Sequence, residues 1–159
     1  MLRHLIHLLI PTALVLVGLT LFRAETTRRA EGAVRIEAAD ALARIQRQVM
    51  VRSVLEGGST ARTGTWPASI DPAWFGNDLP ENPLLEPGHP WIETASVRER
   101  GRMHPVELQA ADETDAGFWY NPAKGIVRIR VPVAVSDQAS LDLYNELNGT
   151  SLTTLWATD

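Results

Sequence analysis

The sequence predicts an α+β fold in which a long N-terminal helix, first membrane-spanning and then amphipathic, packs on a small antiparallel β-sheet. Three observations predict it. Residues 5–22 carry no charged side chain, apolar residues recur at helical spacing between residues 34 and 49, and short β-branched and aromatic runs follow a proline-rich segment. The chain of 159 residues has the length of about one ordinary domain.

We therefore divide the chain into three predicted parts that we expect to lie in different environments. They are a transmembrane segment (1–23), an amphipathic helix continuing the span (24–56) and a globular domain (57–159), itself made of a loop (57–90), a β-sheet (91–135) and a C-terminal helix and tail (136–159). Seven basic residues against four acidic ones make the stretch from 23 to 52 basic. From residue 57 onward, seven basic residues against fourteen acidic ones make the chain acidic.

Composition excludes several classes of site. A formal net charge of −4 argues against a broad phosphate-binding surface, so nucleic acid is not an expected partner. The absence of cysteine from the sequence excludes a disulfide framework, a thiolate zinc site, an iron–sulfur cluster and a cysteine nucleophile.

The apolar run Leu5 to Phe22 favours a membrane anchor. As a helix rising ~1.5 Å per residue, its 18 residues reach about 27 Å, close to the thickness of the hydrocarbon core. A buried helix of a soluble protein is disfavoured because polar interruptions are few. A cleaved secretory signal is disfavoured because Phe22 and Arg23 stand where small residues are needed.

The stretch from Arg23 to Glu56 has only Gly32 as a weak point, so we expect one helix that ends at Gly57-Gly58. Its apolar positions step by three or four residues and form one stripe: Val34, Ala38, Leu42, Ile45 and Val49. We expect the stripe to pack on the chain's own globular domain. Coiled-coil dimerisation is the alternative, disfavoured by the lack of a sustained heptad.

The dense prolines between residues 67 and 90 predict an ordered irregular loop, with Trp66, Trp74 and Trp91 as its anchors. Residues 91–97 and 105–111 read as strands joined by a hairpin turn at Gly101.

A clearer hairpin is predicted further along the chain. Residues 118–120 and 126–131 are its arms, around a turn formed by Asn121 to Gly125. A short helix should then begin at Ser136 or Asp137 and end at Asn148-Gly149.

The sequence contains few specific catalytic or ligand-binding motifs. No HExxH, GxSxG, Walker A or GxGxxG sequence is present, and we expect no enzyme and no cofactor. The acidic turn with Asp112, Glu113 and Asp115 is either a solvated turn or a set of oxygen ligands for calcium. The five tryptophans fit core and loop anchors better than a sugar-binding platform.

Three phrases carry a family resemblance: GTWPASI (64–70), DLPENPLL (78–85) and FWYNPAKGIVRIRVP (118–132). Together with the order of parts, they resemble the loop and hairpin segments of the type IV pilin and type II secretion pseudopilin superfamily. The N-terminus departs from that pattern, because it lacks a leader glycine before an aromatic residue and residues 5–22 contain no Glu. The departure fits either a permanent membrane component or a diverged start.

The resemblance implies a function. The chain would be a structural subunit or accessory component of a type II secretion or type IV pilus-like assembly, with other pilin-like or secretion-system subunits and the inner membrane as partners. Ala13 and Gly18 would let helices approach closely. It also implies a single-pass protein of the bacterial inner membrane with a periplasmic domain. The alternative is a membrane-anchored binding module for a ligand, a metal or a polysaccharide.

Overall fold

Two helices and five short strands occur in the parts of the chain that this computed structural model describes: the backbone of residues 2–57 and 66–156, and the side chains of residues 22–23, 25–26, 28–55 and 66–156. In chain order the elements are α1 (Leu2–Gly57), β1 (Ile92–Thr94), β2 (Gln109–Ala110), β3 (Phe118–Asn121), β4 (Ile126–Ile129), β5 (Val131–Pro132) and α2 (Asp137–Asn148). The chain divides into two units, Met1–Val34 and Arg35–Asp159. The second contains the whole sheet and α2.

The predicted membrane span at residues 1–23 is wrong. None of the described helices combines the length and the apolar character that crossing a bilayer requires. In the described part of α1, charged side chains recur from Arg23 onward at Glu25, Arg28 and Arg29, and each is costly in hydrocarbon. The predicted localisation, as a single-pass inner-membrane protein with a periplasmic domain, is corrected with it.

The sheet is mixed, which corrects the prediction of an antiparallel one. β3 lies between a parallel neighbour, β1, and an antiparallel neighbour, β4. A second, two-stranded sheet pairs β2 with β5 in parallel. The predicted hairpin at Gly101 is absent from this described region, because β1 and β2 join different sheets. The long connection between β1 and β3 gives the chain room to return in the parallel direction.

Hydrogen bonds from side chains, rather than strand pairing, hold the segment between β1 and β2 in place. Ser96 and Glu99 form a capping box at a 3₁₀ turn, Val97–Glu99, and the Ser96 hydroxyl lowers the pKa of the Glu99 carboxyl. The buried Asn121 amide donates to the carbonyl oxygens of Glu99, Arg100 and Arg102 at 2.8–3.2 Å. These contacts turn the chain away from β1 and prevent a hairpin.

The core forms where α1 meets the sheet. One side of α1 is almost completely buried, and it packs with the inward residues of β3 and β4 and with α2. Its principal members are Ala38, Leu42, Ile45, Val49, Phe118, Tyr120, Val127, Ile129, Leu141 and Tyr144. The alternation along β3 and β4 places every second side chain on this face. The amphipathic stripe therefore supplies the helical half of the core.

A buried arginine joins the two small sheets. The guanidinium of Arg130 pairs with the Glu93 carboxylate on β1 and donates to the carbonyl oxygens of Glu107 and Ala116. The Arg130 side chain is 7% exposed and the Glu93 side chain 45%, so the guanidinium is buried while water reaches the carboxylate. Removing Glu93 would leave the buried guanidinium without its carboxylate, so the pair helps to keep the sheets together.

The outer edge of β4 is closed by side-chain amides. Asn148, the last residue of α2, accepts from the backbone N–H of Ile129 at 2.9 Å and donates to its carbonyl oxygen at 3.0 Å. The Gln46 amide of α1 lies 3.5 Å from the carbonyl oxygen of Val127. These side chains occupy ladder positions that another strand would need, which protects this part of β4 from edge-to-edge association.

A matched pair of glycine substitutions tests the β3–β4 turn. Gly125 has φ +65°, and a Cβ added there would overlap the ring of Trp66. Gly149, after α2, has φ +61°, but its Cβ would meet no described atom within 4 Å. We expect Gly149→Ala to lower the free energy of unfolding by about 1–3 kcal/mol through backbone strain alone. Gly125→Ala should cost about 1–3 kcal/mol more because of the overlap.

Urea unfolding of both variants measures this difference. Equal losses for the two variants would show that Trp66 does not rest on the turn.

Candidate functional site

The most unusual surface of the described chain is a second apolar side of α1. Five large apolar side chains lie on it, between 51% and 72% exposed, and we call this set the outer face: Ile36, Met50, Val51, Val54 and Leu55. At about 100° per residue, Ile36, Met50 and Val54 point away from the buried Ala38, Ile45 and Val49. The helix therefore has one apolar side in the core and another in solvent.

A groove lies beside the outer face, between α1 and the proline-rich loop. It encloses about 410 Å³ and is lined by Arg44, Arg47, Gln48, Val51, Trp74 and Phe75. Val51 belongs to both surfaces, so the groove and the outer face are continuous.

The aromatic wall of the groove comes from a short 3₁₀ helix, Pro72–Phe75. Asp71 caps this helix by accepting from the backbone N–H of Ala73 at 2.9 Å, and the proline at its first position suits the helical start. The Phe75 ring then packs edge-on against Trp91, with 5.6 Å between the ring centroids. Local turn chemistry therefore fixes the direction in which Trp74 and Phe75 face α1.

The arginines of α1 form the opposite wall. Arg44 donates to both the backbone carbonyl oxygen and the carboxylate of Asp78 at 2.8 Å, which ties the loop to the helix. Arg52, which does not line the groove, places its guanidinium 5.1 Å from the centroid of Trp74, at cation–π distance, and its buried Nε has no hydrogen-bond partner among the described residues. Arg47 is exposed and forms no ion pair within the described part of the chain.

This arrangement is suited to binding a carboxylate next to an apolar or aromatic group. The arginine side supplies donors with a geometry that matches carboxylates, and the aromatic side supplies flat apolar area.

The three predicted loop anchors lie in different environments. Trp66 packs its ring against the turn at Gly125, and Trp91 donates from Nε1 to the carbonyl oxygen of Pro80 at 2.7 Å. Trp74 lines the groove. Of the two other tryptophans, Trp119 is fully buried and Trp156 is 70% exposed.

The predicted helix-packing residues separate into three groups. Ala38, Leu42, Ile45 and Val49 are buried in the core. Val34 is half-buried and belongs to the other unit, Met1–Val34. Ala13 and Gly18 fall within the bounds of α1, but their side chains lie outside those that the structure describes. These four buried residues therefore pack within the core of the chain's own domain.

The predicted calcium ligands form a hydrogen-bonded turn. One carboxylate oxygen of Asp115 accepts from the backbone N–H groups of Ala111 and Asp112 at 2.8 and 2.9 Å. Asp112 and Glu113 are exposed. Among the described residues, no three histidine or acidic side chains gather as metal ligands. Asp115 therefore has a structural role in this turn, because its carboxylate accepts hydrogen bonds from two backbone N–H groups.

The two proline-flanked histidines also have structural contacts. His89 Nδ1 lies 2.9 Å from the carbonyl oxygen of Asp115, and the buried His104 lies 3.1 Å from the Tyr144 hydroxyl. Neither histidine lines the groove.

The chain matches no protein-family model, no curated protein and no solved structure. The function must therefore be argued from the surfaces described above.

Sequence analysis missed the outer face and the groove. A signal for the outer face was present, because Ile36, Ala43 and Met50 recur at seven-residue steps opposite the buried stripe. The groove had no comparable signal, since its two walls are more than twenty residues apart in the chain.

Substitution of Asp115 distinguishes the two interpretations of the acidic turn. We expect Asp115→Ala to lower the free energy of unfolding by about 1–3 kcal/mol, because two backbone N–H groups lose a charged acceptor. The matched Asp112→Ala should change it by less than about 0.5 kcal/mol, as is usual for exposed sites.

Thermal unfolding with and without calcium completes this test. The wild-type Tm should be the same in both. A calcium-dependent rise in Tm that Asp112→Ala removes would instead identify a metal site.

Proposed function

We propose that this chain is a structural interaction subunit, which acts through helix packing and protein–protein contacts with neighbouring subunits of an assembly. The observation that carries the proposal is the outer face of α1, where Ile36, Met50, Val51, Val54 and Leu55 are exposed together on one helix. Met50, Val51, Val54 and Leu55 lie within two turns of the helix, and clustered exposed apolar residues of this kind are typical of protein contact sites.

The energetics favour a helix as the partner surface. Burying one such side chain completely contributes about 1.5–3 kcal/mol. Association itself costs an estimated 4–15 kcal/mol, so several of the five must be buried together. A helix laid along α1 contacts residues spaced by three or four positions at once, which is the spacing of Met50 to Val54, Val51 to Val54 and Val51 to Leu55.

The resemblance to pilins and pseudopilins supports the kind of assembly. In that superfamily, subunits associate through their N-terminal helices while a small sheet and its loops form the globular part. We therefore propose a type II secretion or type IV pilus-like assembly as the setting, with other pilin-like subunits as partners. The proposal requires no catalytic residue.

A binding module is the second candidate function. One observation favours it: the groove combines Arg47, which has no ion pair in the described chain, with the ring of Trp74. A ligand for this groove would carry a carboxylate and an apolar group. Loss of that binding in a Trp74→Ala variant whose assembly is normal would favour this candidate.

Substitutions on the outer face test the proposed function. In the full chain, Met50→Ser with Val54→Ser should weaken self-association at least tenfold, because both side chains are exposed and neither lines the groove. The control is Val97→Ser with Val135→Ser, at 74% and 103% exposure away from α1. The control should associate like the wild type.

Sedimentation velocity over a range of protein concentrations provides the measurement. Thermal unfolding should show the same Tm for all three proteins. If the outer-face variant associates as strongly as the control, or if the wild type remains monomeric throughout, the proposed function is refuted.

A further inference from the structure

We propose that the groove of one copy of this chain receives Trp156 of a second copy, with Glu107 of that second copy facing Arg47. This inference rests on the proposed function, because it specifies a second contact between neighbouring subunits. We call Val106, Glu107 and Trp156 the tail patch.

The tail patch presents a large aromatic side chain to solvent. Trp156 is 70% exposed, although tryptophan is usually well buried in folded domains. Its backbone is held in place by an antiparallel bridge to Glu107 and by the hydroxyl of Thr154, which donates to its carbonyl oxygen at 2.8 Å. Val106, next along the chain, is 44% exposed. The patch is therefore an ordered, apolar projection beside a carboxylate.

The groove has the complementary chemistry. Its volume of about 410 Å³ falls in the range of about 300–1,000 Å³ that is usual for binding pockets. Trp74, with Arg52 over its ring, and Phe75, edge-on to Trp91, supply the aromatic part of the lining, and Val51 extends the apolar floor. Arg47, exposed and without an ion pair in the described chain, is placed to meet a carboxylate beside that ring.

The charge distribution favours this occupant over an arbitrary peptide. The arginine wall belongs to the basic stretch of α1, whereas the tail patch belongs to the acidic part of the chain after residue 57. Complementary potentials of this kind steer two copies together and fix their register.

The contact joins two different surfaces. The groove and the tail patch share no residue, so in a single contact one copy keeps its tail patch free and the other keeps its groove free. Such contacts build a ring or an open filament when they repeat head to tail, and a two-fold dimer when two copies exchange them.

The contact is also small. One aromatic side chain and one exposed ion pair fall well below the roughly 1,000 Å² of a stable interface, so the contact is weak by itself. It strengthens helix packing by raising the effective concentration of the second site.

Thiol crosslinking between two single-cysteine copies tests the contact at the weak affinity expected. The natural chain has no cysteine, so Gln48→Cys in the groove and Val106→Cys in the tail patch each carry one thiol. The Gln48→Cys copy is activated as its mixed disulfide with thionitrobenzoate, and the Val106→Cys copy is added. The released chromophore gives the rate, which is normalised to the rate with glutathione.

The control is an activated copy carrying Arg98→Cys, at an exposed position outside the groove. We expect the normalised rate for Gln48→Cys to be at least ten times that for the control. Adding Trp156→Ala to the thiol copy, or Arg47→Glu to the activated copy, should lower it to the control level. Equal rates for groove and control, or a rate that Trp156→Ala leaves unchanged, would overturn the inference.

Repeating the reaction with Met50→Ser and Val54→Ser in both copies separates this inference from the proposed function. If Gln48→Cys still reacts faster than the Arg98→Cys control in these variants, the result supports the groove contact even if sedimentation refutes packing of the outer face. Loss of helix-dependent association together with equal crosslinking rates would sustain the proposed function and overturn the groove contact.

Discussion

The packing of one side of α1 on β3 and β4 is the interaction on which the rest of this structure depends. Ala38, Ile45 and Val49 are buried against the inward side chains of the β3–β4 hairpin, and burial on that side determines which residues face outward. The direction of the outer face, and the side from which Arg44 and Arg47 meet the loop, both follow from this rotation of the helix. A helix rotated by one residue would bury a different set of side chains and lose the groove.

Features encoded by a few neighbouring residues could be predicted from the sequence. The α2 start at Ser136, whose side chain accepts from the Ala139 N–H, and its end at the left-handed Gly149 match the expected capping chemistry. The turn from Asn121 to Gly125 is likewise where the pattern indicated. In each case the geometry is decided within about five residues, so the local sequence contains the necessary information.

Features that join distant segments could not be predicted in this way. β1 pairs in parallel with β3, and the Asn121 amide at the end of β3 binds three carbonyl oxygens some twenty residues earlier in the chain. The groove depends on Arg44 meeting Asp78. The error about the membrane has a different cause: a run of suitable length without charged side chains, as at residues 5–22, does not by itself establish a spanning helix.

The closed edge of β4 narrows the ways in which this domain can contact its neighbours. Strand addition is one recurring route by which a sheet joins another chain, and it needs free N–H and C=O groups along an edge. At β4, Asn148 of α2 takes up both backbone groups of Ile129, and Gln46 of α1 approaches the carbonyl oxygen of Val127. The same helix that closes the edge presents exposed apolar residues on its opposite side. The fold thus makes strand addition at β4 less favourable and leaves exposed side chains along α1, which are the surface that the proposed function uses.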